Sequence, residues 1–320
     1  MTYPDFIAEW RSDSPCCRVH TSGSTGAPKQ LMLPKPLMRR SALRTVAFFN
    51  LHPADRVHSC ISPDFIGGKM MAVRSEVAGL HLTWEEPSNR PVVADDEGYG
   101  APALVAVVPS QMLHILERPD LKDMRRPDGT PTAWLIGGAP IDTVLRRRIA
   151  ESGMEAWESY GMTETASHIA LRRVADPPLP FRPLEGVALR VDERGCLVIC
   201  QEGEEDLVTN DIVELDAEGG FSVLGRADNV IITGGKKVQP ETVEAALRSP
   251  LAALGISDVM LTSEPDVKWG SGLILLVECV CADTSRVEEI CRSLLAPHEV
   301  PKEIRSVRRL PRTPNGKLRR

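Results

Sequence analysis

Apolar runs alternate with segments of helical period through the first two thirds of this 320-residue chain, and no other feature restricts its fold so strongly. CCRVH, RVHSCIS, ALVAVVP, TAWLIGGAP and EAWESYG read as strands. Between them LMRRSALRTVAFFN, KMMAVRSEVAG, QMLHILERP and IDTVLRRRIAESG read as helices. Successive strands joined through helices predict a largely parallel sheet with helices covering it. A proline-rich break, DPPLPFRPLEG at residues 176–186, ends the alternation. Short strands such as VALRVDERGCLVICQ follow, with turn residues at 193–195. A second junction falls at LGRADNVIITGG, beyond which VQPETVEAALRSP and TSRVEEICRSLL read as helices and GLILLVECVC as a strand. The expectation is an α/β chain. A large N-terminal domain over residues 1–227 holds the mostly parallel, helix-covered sheet and a β-rich subdomain, and a small mobile α+β domain spans 228–320.

Composition narrows the partners. A hydrophobic content of 42% suffices for a sizeable core, and a net charge of −6 does not favour nucleic acid. The basic residues of RRSALR and LRRRIA fall at helical spacing, which describes a solvated face, so no nucleic-acid partner is expected. No apolar run reaches the roughly 18 residues of a membrane span, and the opening MTYPDFIAEWRSD lacks a basic segment leading into an apolar one. The cytoplasm, with no membrane partner, is the expected location. Of the eight cysteines no two show CxxC spacing, and Cys196 and Cys200 share a strand without nearby histidines. They read as reduced packing thiols, and no zinc site is expected.

Two loops carry chemistry. HTSGSTGAPKQ, between a strand and a helix, holds four hydroxyl side chains, two glycines and a lysine. Converging backbone amides, hydroxyls and Lys29 would cradle phosphate oxygens, although GxxxxGK[ST] is not matched and an ordinary surface turn has the same composition. In ESYGMTETASH an aromatic ring, a glycine, hydroxyls and a carboxylate follow a strand. Tyr160 suits a flat base, Thr163 a phosphate and Glu164 a magnesium ion, while a capped helix start is the other account.

These loops, with VTND, GRADNVIITGGKKVQPETVE and LPRTPNGKLRR in this order, resemble the adenylate-forming superfamily of acyl-coenzyme A synthetases, peptide-synthetase adenylation domains and luciferases. The resemblance runs from His20 to Lys317. It implies that Thr21, Ser22, Gly23, Ser24, Thr25, Gly26 and Lys29 line the ATP phosphates. Gly137, Gly138, Ala139 and Pro140 would follow the adenine edge, beside Ser159, Tyr160 and Gly161. Thr163 would contact the α-phosphate, Glu164 would hold Mg²⁺, and Asp211 would accept from the ribose hydroxyls with Arg226 in support. Asp228 would be the interdomain hinge, Lys317 the mobile catalytic lysine, and Gly234 and Gly235 the lining of the coenzyme A channel. The implied reaction joins a carboxylate to ATP as an acyl adenylate, with loss of pyrophosphate, and then passes the acyl group to the coenzyme A thiol. No GxSxG is present and no histidine spacing marks a base, so a serine-hydrolase reading is weak.

Two departures stand out. Family members carry a long segment before the phosphate loop, and a surface exposed by its absence could be covered in a homodimer. SPDFIGGKMMAVR stands where the family often reads PLFHxxG, and its Gly67, Gly68 and Lys69 resemble a compact bacterial type of o-succinylbenzoate:coenzyme A ligase of menaquinone synthesis. Lys69 and Arg74 could anchor the second carboxylate of such an acid, or could be solvated residues at a helix start. Ligation of another small aryl or short-chain acid, and a non-catalytic adenylate-binding module, are the competing functions.

Overall fold

In a computed structural model the chain is described over residues 1–20, 30–94, 98–312 and 318–320. It divides into two compact units, the first made of Met1–Val187 with Gln201–Glu204 and Glu218–Gly220, the second of Ala188–Cys200, Glu205–Ala217 and Phe221–Arg320.

The first unit opens with helix α1 (Tyr3–Arg11), the strands β1 (Cys16–His20) and β2 (Gln30–Pro34), and helix α2 (Lys35–Phe48). Thr2 and Asp5 cap α1 reciprocally. Then follow β3 (Arg56–Ser59), α3 (Ile66–Ala78), β4 (His81–Trp84), β5 (Leu104–Val107), α4 (Pro109–Ile115), α5 (Pro119–Lys122), β6 (Ala133–Ile136), α6 (Thr143–Ser152), β7 (Glu155–Met162), β8 (Ser167–Arg173) and β9 (Arg182–Pro183). Strands β3 to β9 form one seven-stranded sheet in the order β4-β3-β5-β6-β7-β8-β9. The pairings are parallel from β4 through β7 and antiparallel at the β8 and β9 edge.

The continuous apolar runs have the physical cause expected of central parallel strands. Val105, Val107, Trp134 and Ile136 face a core closed by α4 and α6. Leu104, Ala106, Ala133 and Leu135 face the opposite core, with Val57, Met71 and Leu80. Period-two alternation thus feeds helices on both faces. Strand order reverses between β3 and β5, and the carboxyl ends of strands at such a reversal frame the crevice where open α/β sheets bind ligands.

The second unit contains all but the first residue of β10 (Val187–Val191), all but the last of β11 (Cys196–Gln201), and β12 (Leu207–Leu215) and β13 (Phe221–Arg226), a four-stranded sheet in chain order. Next come the hairpin strands β14 (Ile231–Thr233) and β15 (Lys236–Val238), then α7 (Pro240–Ala252), β16 (Val259–Asp266), β17 (Gly270–Glu278), α8 (Thr284–Leu294) and β18 (Glu303–Val307). Strands β16, β17 and β18 make a sheet, antiparallel and then parallel. Val243, Leu247 and Leu251 recur every fourth residue on α7 and pack on Leu261 and Leu275, joined by Val287 and Cys291 of α8. The α/β class and the β-rich segment after the proline break are as the sequence implies. No helix among the described residues is long and apolar enough to cross a membrane.

Candidate active site

The carboxyl ends of the parallel strands are tied to one another. Gln111, 3% exposed, donates from Nε2 to the carbonyls of Cys60 (2.9 Å) and Ser88 (2.8 Å) and accepts at Oε1 from the Val108 amide (2.9 Å). Beside this knot β6 runs into the segment of Gly137, Gly138, Ala139 and Pro140. The Gly137 amide donates to Val107 O at 3.1 Å, and Ser159 Oγ donates to Ile136 O at 2.9 Å. A Cβ on Gly137 would stand 2.7 Å from Ser159 Oγ, so a side chain there would push the Ser159 hydroxyl off Ile136 O. The structure therefore brings together the two segments, Gly137 to Pro140 and Ser159 to Gly161, that the family resemblance implies for the adenine edge.

Two arginines fix β7 from below. The Glu158 carboxylate, 5% exposed, accepts from Arg146 Nη2 (2.5 Å) on α6 and Arg172 Nε (2.8 Å) on β8. Tyr160 places its ring 5.7 Å from that of Phe181. At Gly161 the neighbouring strand closes in: a Cβ there would meet Ser167 O at 2.2 Å and His168 Cα at 2.4 Å.

Residues 163–166 form the turn between β7 and β8, so the capped helix start is replaced by a β-hairpin. Thr165 Oγ1 accepts from the Met162 amide (3.0 Å) and donates to Ser167 O (2.6 Å). That closure lets Ala166 and Ser167 hold φ of 55° and 112°. Thr163 is buried, whereas Glu164 is exposed and offers oxygen ligands of the kind Mg²⁺ prefers. Behind the turn Ser41 Oγ donates to Ala166 O (3.1 Å), Arg74 Nη2 to Ser167 Oγ (3.2 Å), and His168 Nε2 lies 3.0 Å from Thr45 Oγ1.

Lys69 and Arg74 are not solvated, being each 1% exposed. Lys69 Nζ sits 2.9 Å from Met1 Sδ and 4.5 Å from the Phe6 ring centroid, and burial pulls its pKa down. Arg74 is drawn down to about 9 by burial, opposed by Tyr3. The same burial holds His168 well below its usual range, with Arg74 adding repulsion. Arg74 underpins the hairpin.

In the second unit Asp211 and Arg226 face each other across β12 and β13. Arg226 Nη1 donates to Asp211 Oδ1 at 3.0 Å, while its Nε and Nη2 grip Asp228 at 2.9 and 2.8 Å. The bidentate guanidinium lowers the Asp228 pKa. The three residues assigned to ribose and hinge thus form one ionic chain. Gly234 and Gly235 occupy the two-residue turn from β14 to β15 with φ of 55° and 75°, the signature of a type I′ hairpin. A Cβ on Gly234 would lie 2.7 Å from Trp269 Cε3. Thr21, Ser22, Gly23, Ser24, Thr25, Gly26, Lys29 and Lys317 lie outside the described residues.

The family model of the AMP-binding enzymes matches residues 4–205. The chain belongs to the AMP-binding enzyme family. Among the relatives of this family member, the 2-succinylbenzoate–CoA ligase of Listeria monocytogenes is 26% identical over 99% of the chain and 71% of its own length. An acyl-CoA synthetase (AMP-forming)/AMP-acid ligase II-like protein of Dyadobacter fermentans is 33% identical, covers 98% of this chain and 90% of its own, and superposes with a TM-score of 0.63. The o-succinylbenzoate CoA synthetase of Bacillus subtilis, solved with its acyl-adenylate intermediate, shares the fold at a TM-score of 0.76 and 22% identity, over 94% of this chain and 67% of that one.

Several supporting groups of this AMP-binding enzyme were invisible to motif reading. Arg146 falls in LRRRIA, whose basic residues read as a solvated face, Glu158 and Arg172 belong to no motif, and Trp269 lies 35 residues beyond the glycine it covers. An arginine within an otherwise apolar helical face, as at Arg74, was the one local signal of a buried cation.

Proposed function

We propose that this chain is an ATP- and Mg²⁺-dependent acid:coenzyme A ligase that forms o-succinylbenzoyl-coenzyme A through an acyl adenylate. The observation that carries the adenylation chemistry is the close apposition of Gly137 on Ser159, with Tyr160, Gly161 and Thr163 continuing from it at the carboxyl edge of the parallel sheet. The curated relatives named for 2-succinylbenzoate, aligned along nearly the whole chain, support the choice of acid. The family resemblance supplies the roles of the phosphate loop and of Lys317.

A carboxylate attacking the α-phosphorus of ATP sets anion against anion, so the protein must supply position and positive charge rather than a nucleophile. The Gly137 edge and Tyr160 hold the base, Asp211 accepts from the ribose with Arg226 fixing its carboxylate, and Thr163 donates to the α-phosphate. Glu164 would hold Mg²⁺, which would supply positive charge against the phosphates. Lys29 and Lys317 bring ammonium groups to the phosphates and to the attacking carboxylate. Residues 1–227 and 228–320 act as two domains about Asp228, and turning the second domain presents Gly234 and Gly235 to the thiol arm. The cytoplasm supplies ATP and coenzyme A for both steps.

Pyrophosphate exchange and product analysis across a panel of acids test this reading. AMP, pyrophosphate and thioester are expected with o-succinylbenzoate as the preferred acid. AMP formation with benzoate or acetate but never with o-succinylbenzoate would reject the substrate, and ADP with phosphate would reject the mechanism.

A further inference from the structure

The carboxyl end of β3 carries a cluster that adenylation does not use. His58 and Cys60 are two residues apart on extended chain, so their side chains leave the same face. Parallel pairing sets Ser59 beside Trp84, and the Glu85 amide donates to Ser59 O at 3.3 Å, which brings Glu85 to the pair. Cys60 Sγ lies 3.1 Å and His58 Nε2 3.5 Å from Glu85 Oε1, and the three ligand atoms fall within 4.8 Å of one another. A tetrahedral ion with bonds of about 2.0 to 2.3 Å spaces its ligand atoms by roughly 3.3 to 3.7 Å. The His58–Glu85 separation of 3.5 Å falls within that spacing and the Cys60–Glu85 separation of 3.1 Å lies just below it.

The histidine is prepared to ligate. His58 is 3% exposed, and its Nε2 makes no well-formed hydrogen bond, its nearest polar neighbour being Glu85 Oε1 at 3.5 Å. Its Nδ1 lies 2.8 Å from Thr83 Oγ1, which also accepts from Arg56 Nε (3.1 Å) and stands 3.4 Å from Val57 O. In the tautomer that carries its proton on Nδ1, with the Thr83 hydroxyl accepting from it and from Arg56 and donating to Val57 O, the Nε2 lone pair faces the sulfur and the carboxylate. Glu85 is held as well, because its Oε2 accepts from the Val92 amide at 2.9 Å. A thiolate, a carboxylate and a neutral imidazole together carry two negative charges, which a divalent ion neutralises.

We propose that His58, Cys60 and Glu85 form a binding site for zinc or a zinc-like divalent transition metal that clamps the ends of β3 and β4. The mixed sulfur, nitrogen and oxygen set favours such an ion over Mg²⁺. Binding releases the Cys60 thiol proton to solvent and leaves one position of a four-coordinate ion to water.

The full chain, stripped with a chelator and dialysed against Zn²⁺ or Co²⁺, is expected to retain one metal ion per chain in excess Mg²⁺. Bound Co²⁺ should show thiolate-to-cobalt charge-transfer absorption, and Zn²⁺ should raise the thermal midpoint. His58→Gln and Cys60→Ser should each weaken binding at least ten-fold, with Cys60→Ser removing the absorption, whereas Cys281→Ser, at an exposed thiol, should change neither. Cadmium NMR of the unaltered protein gives a readout that does not depend on how the variants fold, and one sulfur ligand is expected. No retained metal, a cobalt band that survives Cys60→Ser, or a cadmium shift of an all-oxygen site would overturn the proposal, leaving the cluster a Cys60 thiol hydrogen-bonded to Glu85. None of these results bears on adenylation.

Discussion

Single atoms decide much of the candidate site. At Gly161 the backbone of β8 occupies the space of a side chain, with Ser167 O 2.2 Å from where a Cβ would stand. Because backbone cannot move aside as a flexible side chain can, Gly161→Ala must displace the hairpin that carries Thr163 and Glu164. A loss of at least about 100-fold in adenylation is expected, on the scale of a misplaced reacting group, and single-turnover adenylate formation would check it. His168 makes a different statement. Its depressed pKa means that the unfolded chain takes up a proton below about 6.5 that the native chain refuses. Stability is therefore full above that pH and falls as the pH drops toward the depressed native value. The slope is at most about 1.4 kcal/mol per pH unit for one proton. Urea midpoints measured between pH 7 and 5 should show the fall, and His168→Gln should flatten it. An unchanged slope in the variant would place the effect on other groups.

Among elements, the charged joint of α6, β7 and β8 matters most to the site. Arg146 and Arg172 share the one carboxylate of Glu158, and the Arg146–Glu158 side chains are both 6% exposed. Such a triad contributes little net stability when intact, since desolvation offsets attraction, but removing one partner strands charge in the interior. Glu158→Gln should cost about 3 to 5 kcal/mol, read from urea unfolding, and should loosen Ser159 and Tyr160 on the same strand. A cost below about 1 kcal/mol would show that water reaches both guanidinium groups. The chain of Asp211, Arg226 and Asp228 is more open, so it acts through geometry rather than through stability. Arg226→Lys would keep a charge but lose the fork that spans both carboxylates. Its KM for ATP should rise about ten-fold with little change in unfolding free energy, and an unchanged KM would argue that Asp211 needs no such support.

At the scale of the whole molecule, the proposed roles of Lys317 and Asp228 separate the two half-reactions. Lys317→Ala should slow adenylate formation roughly 10² to 10³-fold, the usual cost of losing one preorganised donor, yet leave conversion of supplied acyl adenylate to thioester nearly normal. Asp228→Pro, which stiffens the proposed hinge, should depress thioester formation more than adenylation. Rapid-quench measurement of each half decides the matter, and equal impairment of both halves by Lys317→Ala would remove the separation of roles.

The sequence by itself determined the parallel strands β3, β5, β6 and β7, the helices that alternate with them and the order of the chemistry-bearing loops, whereas CCRVH, expected among those strands, pairs with β2 in a separate two-stranded antiparallel sheet. Those properties follow from local periodicity and from short stretches in which neighbouring residues act together, as in Gly234 and Gly235. Tertiary structure decided what depends on partners distant in the chain. Lys69 and Arg74 read either as anchors for a second carboxylate or as solvated residues at a helix start, because the groups that cover them are distant in sequence, and α1 and the hairpin of β7 and β8 bury both. The hairpin itself replaced a plausible helix start, because strand pairing with β8 outweighed the capping signal of Thr163 and Glu164. His58, Cys60 and Glu85 meet only because parallel pairing brings β4 beside β3 across a crossover helix, a register that no spacing along the chain reveals.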